Sequence, residues 1–267
     1  INAYKMDGLG NNFVIIDRRE DNLEISKDKI ISIANKKIVP FDQLITLEKE
    51  ERNIFPIKIY NPDGIEVTAC GNGTRCIAYL LYDQNQKKNI SIKTGDRVLK
   101  AEVIGKQIVK INMGKPKFNW EEVPLIESMN TKKVSIDFLD KEHGHGFCLN
   151  VGNPHIVFFV KDCSKIDIKK LGPKIEKYRF FPERTNVTFA QVLNKKNIKV
   201  NVWERGAGQT KACGTAACAV TVAASVKGLT DKNLQIHFEE GNLQIAYEKE
   251  IYMTGPVSEV KNINLEV

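Results

Sequence analysis

Apolar and polar residues alternate at 12–17, 43–48, 56–61, 97–104 and 108–113, and again at 146–151, 155–160, 186–193, 198–204, 242–247 and 250–254. Side chains on a strand point to opposite faces in turn, so these segments read as strands. A helix fits better at 27–37, where Ser26 can cap the start, at 71–85, at 168–177 after Asp167, and at 214–227 before Gly228. The last of these, "GTAACAVTVAASVKG", carries Ala, Val or Cys on almost every face and should be surrounded by protein rather than lie on a surface. The helix after Cys70 has the same character in "IAYLLY".

The pattern is written twice. "EVTACGNGTRC" contains Ala-Cys-Gly at Cys70, and "QTKACGTAAC" repeats it at Cys213, 143 residues later. The same offset sends Ile59, Tyr60 and Asn61 to Val202, Trp203 and Glu204, and Gln43 to Asn186, while Gly10-Asn11 faces Gly152-Asn153 at an offset of 142. After each Ala-Cys-Gly helix come similar strand-and-turn runs, "ISIKTGDRVLKAEV" and "LQIHFEEGNLQIAY", ending in "INMG" and "YMTG". Elements repeating in register imply an internal duplication. The fold class expected is α/β (α+β), with two pseudo-symmetric domains, each a strand barrel or wrapped sheet around a central buried helix. The boundary is expected in "GKPKFNWEEVP" (114–124), giving domains over 1–115 with Cys70 and 116–255 with Cys213; the segment 256–267 is a candidate to cross back and complete the first.

Composition narrows the function classes. The chain has 267 residues, 42% hydrophobic and 27% charged, which suits a globular protein with a substantial core. No apolar run approaches the ~18 residues that would span a bilayer, and "INAYKMDGLG" lacks the basic-then-apolar pattern of a secretory signal; the expectation is a cytoplasmic protein without membrane partners. The net charge of +7 comes from scattered lysine pairs without a basic stripe or recognition motif, so no nucleic acid is expected. The six cysteines form no Cys-x-x-Cys pair, so neither a zinc ribbon nor a thioredoxin motif is present, and no metal is expected.

The repeated cysteines carry the candidate chemistry. Each stands where a glycine-rich loop enters a helix, where backbone N–H groups act like roughly half a positive charge and favour a thiolate. Gly71, Gly73 and Gly214 let the backbone approach a ligand closely, and the same N–H groups can hold a carboxylate. Pseudo-twofold symmetry would bring the two junctions to one cleft. Two opposed thiols imply that one, ionised, removes a hydrogen from one face of a carbon acid while the other protonates the opposite face, which inverts a stereocentre; they would titrate as a coupled pair.

"KMDGLGNNF", "FDQL", "NPDG", "ACGNGTRC", "GNPH", "RTNVTF", "ERGAGQTKACGT" and "YMTGP" together resemble the diaminopimelate epimerase family, in order and over essentially the whole chain. The resemblance implies interconversion of the LL and meso forms of 2,6-diaminopimelate, on the way to lysine and bacterial cell wall, with neither pyridoxal phosphate nor another cofactor, and it suggests a homodimer. It makes Cys70 and Cys213 the proton-transfer residues, with His155 and Glu204 supporting them electrostatically. Gly71-Asn72 and Gly214-Thr215 would hold the reacting carboxylate. Asn11, Gln43, Asn61, Asn153, Asn186, Glu204 and Arg205 would bind the rest of a small amino-acid substrate; a guanidinium fork at Arg205 suits its distant carboxylate, and Glu204 suits an amine. Two other readings use the same residues: a proline or hydroxyproline racemase, whose substrate has no distant charged group for Glu204-Arg205, and a thiol redox sensor or ligand-binding module. Asp7, Asn12, Pro40, Gln209 and Ala216 depart from the family's usual residues, and Ala216, in place of a glycine, puts the turn beyond Cys213 in question.

Overall fold

The computed structural model describes residues 2–20, 24–36, 39–67 and 70–265. It divides into two compact units, Ile1–Asn112 with Thr254–Val267, and Met113–Met253. The first contains β1 (Asn2–Gly8), β2 (Asn11–Asp17), α1 (Lys27–Lys36), β3 (Gln43–Leu47), β4 (Ile54–Tyr60), β5 (Glu66–Val67), α2 (Gly71–Asn85), β6 (Asn89–Thr94), β7 (Arg97–Gly105) and most of β8 (Ile108–Gly114). The second runs through β9 (Phe147–Asn150), β10 (Pro154–Phe159), α3 (Ile168–Glu176), β11 (Asn186–Asn194), β12 (Asn197–Glu204), β13 (Gly208–Gln209), α4 (Gly214–Val226), β14 (Asn233–Phe238) and β15 (Gly241–Tyr247). The chain then passes through β16 (Ile251–Pro256) and ends, within the first unit, in β17 (Lys261–Asn264).

Both units use one wiring scheme. In the first, β1 pairs antiparallel with β2, β2 parallel with β3, β3 antiparallel with β4, and β4 antiparallel with β5 and parallel with β6. In the second, β9, β10, β11, β12, β13 and β14 repeat those partners and senses. Register repeats too: Gln43 opens β3 opposite Phe13, and Asn186 opens β11 opposite His155. The mixed α/β fold of repeated, helix-centred units is therefore the one the alternation pattern implies.

Within each unit one helix lies inside the strands and one outside. Every residue of α2 from Gly71 to Leu81 and of α4 from Gly214 to Ala224 is buried, with α2 against β1, β2, β6 and β7 and α4 against β9, β10, β11, β14 and β15. A helix apolar on all sides has no other stable place. On the outer faces α1 seals Ile30 and Ile33 against Ala3, Val14, Ile16, Leu44 and Leu265. Helix α3 does the same with Ile168 and Ile175 against Ile156, Phe158, Val187 and Phe189, and the segment before β9 adds Val123, Leu125, Val134 and Ile136. No described helix is long and apolar enough to cross a membrane.

The helix limits follow their caps. Ser26 Oγ accepts the N–H of Lys29 at 3.3 Å, and Asp167 Oδ1 that of Lys170 at 3.1 Å. Position 37, the last of the first expected helix, lies outside the described residues. Alternation alone did not mark β1 and β17, which form a four-residue antiparallel ladder from Asn2–Asn264 to Lys5–Lys261. Lys5 and Asp7 interrupt the apolar character of β1, and only Tyr4, Met6 and Gly8 turn inward with Ala3.

Candidate active site

The two cysteines occupy the same local geometry. Cys70 caps α2 with φ −148° and ψ 104°, and its Sγ accepts the N–H of Gly73 at 3.4 Å. Cys213 caps α4 with φ −136° and ψ 113°, and its Sγ accepts the N–H of Ala216 at 3.4 Å. Extended backbone at the cap followed by helix is what a capping side chain requires, and here the capping atom is sulfur. Ala216 sits inside α4 and outside the positive-φ set, so the alanine fits a turn that needs no left-handed residue. By helix geometry the first N–H groups, those of Gly71-Asn72 and Gly214-Thr215, point outward along the axis, where an anion is favoured.

In the first unit, the turn Leu9-Gly10 has positive φ at both residues and is closed by Asp7 Oδ1 accepting the Gly10 N–H at 3.2 Å. It delivers Asn11, whose Nδ2 lies 3.9 Å from Cys70 Sγ. Gln43 Nε2 donates to Asn61 Oδ1 at 3.2 Å, joining two expected substrate residues across β3 and β4. Asn72 is buried, and its Oδ1 accepts from Arg75 Nη2 at 2.9 Å. Arg75 is itself fully buried, one turn into α2, whose later buried residues are apolar or aromatic. Its signal in the sequence is the lone charge in "GTRCIAYLLY".

In the second unit, hydrogen bonds connect His155 to Cys213. His155 Nε2 stands 2.9 Å from Asn153 Oδ1, Asn153 Nδ2 donates to Thr215 Oγ1 at 3.3 Å, and Thr215 Oγ1 is 3.4 Å from Cys213 Sγ. The Asn153 carbonyl must accept, so the imidazole carries its proton on Nε2. Thr215 already accepts from Asn153, which leaves its own proton for the sulfur. Burial, followed by the charge of Arg205, lowers the His155 pKa to about 3, so the ring is neutral near pH 7. Glu204 accepts from Thr210 Oγ1 at 2.6 Å and shares a hydrogen bond with Cys213; burial raises its pKa.

The helix start was expected to favour a Cys213 thiolate. The structure differs: burial, then the neighbouring Glu204 charge, raise the Cys213 pKa well above its usual value, against opposing donors Thr215 and Ala216. Cys213 is therefore held as a thiol, its proton directed to Glu204. Asn186 also differs from a simple ligand. It is buried, its Nδ2 donates to the Pro154 carbonyl at 2.8 Å, and its Oδ1 accepts the Arg205 N–H at 2.9 Å. Arg205 Nη1 donates to the Glu183 carbonyl at 3.0 Å. Among the described residues no cluster of His, Cys, Asp and Glu has a metal-binding arrangement.

Comparison with known proteins follows the same lines. A family model described as diaminopimelate epimerase matches residues 3–119 and 147–260. A diaminopimelate epimerase of Pelagibacter ubique is 47% identical over 100% of this chain and 99% of its own length. That of Acidiphilium cryptum is 38% identical over 95% of this chain and 92% of its own. Among solved structures, a predicted epimerase from Pseudomonas aeruginosa superposes with a TM-score of 0.70 at 13% identity, covering 99% of each chain. A hydroxyproline epimerase from Agrobacterium vitis, with bound trans-4-hydroxy-L-proline, gives 0.64 at 10% identity over 98% of this chain and 92% of its own. At such identities the structural likeness establishes the fold alone.

Proposed function

The chain belongs to the diaminopimelate epimerase family, and from that membership we infer that it interconverts LL- and meso-2,6-diaminopimelate by proton transfer at one α-carbon, in lysine and peptidoglycan precursor synthesis. In this reading Cys70 and Cys213, one from each unit, act on opposite faces of the substrate carbon. Cys70, as thiolate, removes the α-proton; the Cys213 thiol delivers its proton to the other face. The charge left on Cys213 Sγ is then met by the Ala216 N–H and the Thr215 hydroxyl. In the reverse direction the roles exchange: the Cys213 thiolate removes the α-proton and the Cys70 thiol returns one to the opposite face. The observation that carries the reading is the identical sulfur cap at the buried helix of each repeat.

The remaining site residues fit a dicarboxylic diamino acid. The helix starts at Gly71-Asn72 and Gly214-Thr215 suit the carboxylate on the reacting carbon, and Arg205 suits the distant one. Glu204, Asn11, Gln43, Asn61, Asn153 and Asn186 are the proposed polar lining. A cytoplasmic homodimer completes the proposal, and light scattering on the purified protein checks its assembly state.

The test is incubation with LL-diaminopimelate in D₂O, following deuterium at the α-carbon and the appearance of meso product. Wild-type protein is expected to give both, and Cys70→Ala or Cys213→Ala to reduce epimerisation at least about a thousandfold. Either variant turning over at the wild-type rate would remove the two-thiol mechanism. Turnover of proline with none of diaminopimelate would replace the substrate.

A further inference from the structure

Glu204 and Arg205 stand at the end of β12, between Trp203 and Gly206, and one side chain holds both of those neighbours. Glu176, the last residue of α3, is 3% exposed. Its Oε2 accepts the Trp203 indole N–H at 2.7 Å, and its Oε1 accepts the Gly206 backbone N–H at 3.0 Å. Arg184 Nη1 lies 3.6 Å from the same Oε1. All three partners are donors, so the position calls for two acceptor oxygens; an amide of equal size would turn an NH₂ toward one of them. Burying a carboxylate costs free energy that an apolar anchor would avoid, so packing does not explain the choice. Gly172 completes the arrangement, because a Cβ there would come within 2.5 Å of the Trp203 ring and hold α3 away from β12.

Among the described residues the other unit shows no such clamp. At the 143-residue offset Glu176 corresponds to Ile33, Trp203 to Tyr60, and Glu204-Arg205 to Asn61-Pro62. Ile33 packs into an apolar cluster, and Pro62 restricts its own φ. At this position the carboxylate thus stands in the repeat whose loop carries the charged pair, and an apolar side chain stands in the other.

We infer that Glu176 is a positioning residue: by fixing Trp203 and Gly206 it sets the backbone between them, aims Glu204 at the Cys213 thiol and holds Arg205 for the substrate's distant carboxylate. This rests on the activity proposed above. Misplacement of such groups by an ångström is costly, since binding and proton transfer both depend on preset geometry.

The experiment uses the full chain with Glu176→Gln and Trp203→Phe, the latter removing the indole N–H together with part of the ring. Glu176→Gln is expected to raise KM for LL-diaminopimelate about tenfold and to move the limb of the pH–rate profile governed by Cys213. Trp203→Phe should shift KM in the same direction by less, and the double variant should be no worse than Glu176→Gln. Exchange of the Gly206 amide hydrogen should accelerate in Glu176→Gln, a readout independent of turnover. Wild-type KM, kcat and pH profile in Glu176→Gln would overturn the inference, as would activity lost only in proportion to unfolded protein in a urea titration. Should wild-type protein lack epimerase activity, the reading of the reaction fails on its own, and unchanged Gly206 exchange would still be needed to remove the clamp.

Discussion

His155 shows what burial does to a single group. Unfolded, its imidazole takes up a proton near the usual 6.5; folded, it stays neutral until about 3. The unfolded state therefore binds more protons between those values, and stability falls as pH drops through that window, by up to ~1.4 kcal/mol per pH unit. Urea unfolding of wild-type protein from pH 7 to 4 should show this slope, and His155→Gln should lack it; parallel slopes would place the acid sensitivity elsewhere. The site residues divide by how they announce themselves. Cys70 and Cys213 were legible because one cap is spelled twice. Glu176 was not, because its donors, Trp203 and Gly206, lie 27 and 30 positions along the chain, and no local pattern links them. The protonated state of Cys213 was hidden for a similar reason: the helix start is visible in sequence, but burial and the Glu204 contact that outweigh it are tertiary.

At the scale of elements, helices were the most legible part of the fold. The buried α2 spans Gly71–Asn85 and α4 spans Gly214–Val226, and their composition alone placed them inside. Short strands such as β5 and β13 have only two residues each and exist because a neighbouring strand accepts them. The contact of α3 with β12 depends on one missing side chain. Gly172→Ala would set a Cβ 2.5–2.8 Å from Trp203 Cγ, Cδ2 and Cβ, atoms that cannot swing aside as a chain terminus would. Overpacking of this kind costs about 1–3 kcal/mol, against which the gain in helix propensity is ~1 kcal/mol. Denaturant titration should therefore show a net loss, accompanied by a change in Trp203 fluorescence as the indole leaves Glu176. A variant as stable as wild type with an unchanged spectrum would show that the helix can withdraw without cost.

Over the whole chain, the duplicated wiring is closed by the last strand. Residues 254–267 belong to the first unit, with β17 laid along β1 and Leu265 in the cluster beneath α1. Removing 261–267 deletes that ladder and the Leu265 contact, a loss of about 2–4 kcal/mol falling on the first unit. Limited proteolysis of the shortened protein should cut first within 2–112 and spare 113–253; uniform cutting would contradict this. The same ladder sets an order of birth. Lys5 leaves the ribosome 256 residues before its partner Lys261, which at ~5–20 residues per second is roughly ten to fifty seconds of synthesis. The half encoded second can finish before the half encoded first, and until the codons for β17 are read β1 waits with one bare edge.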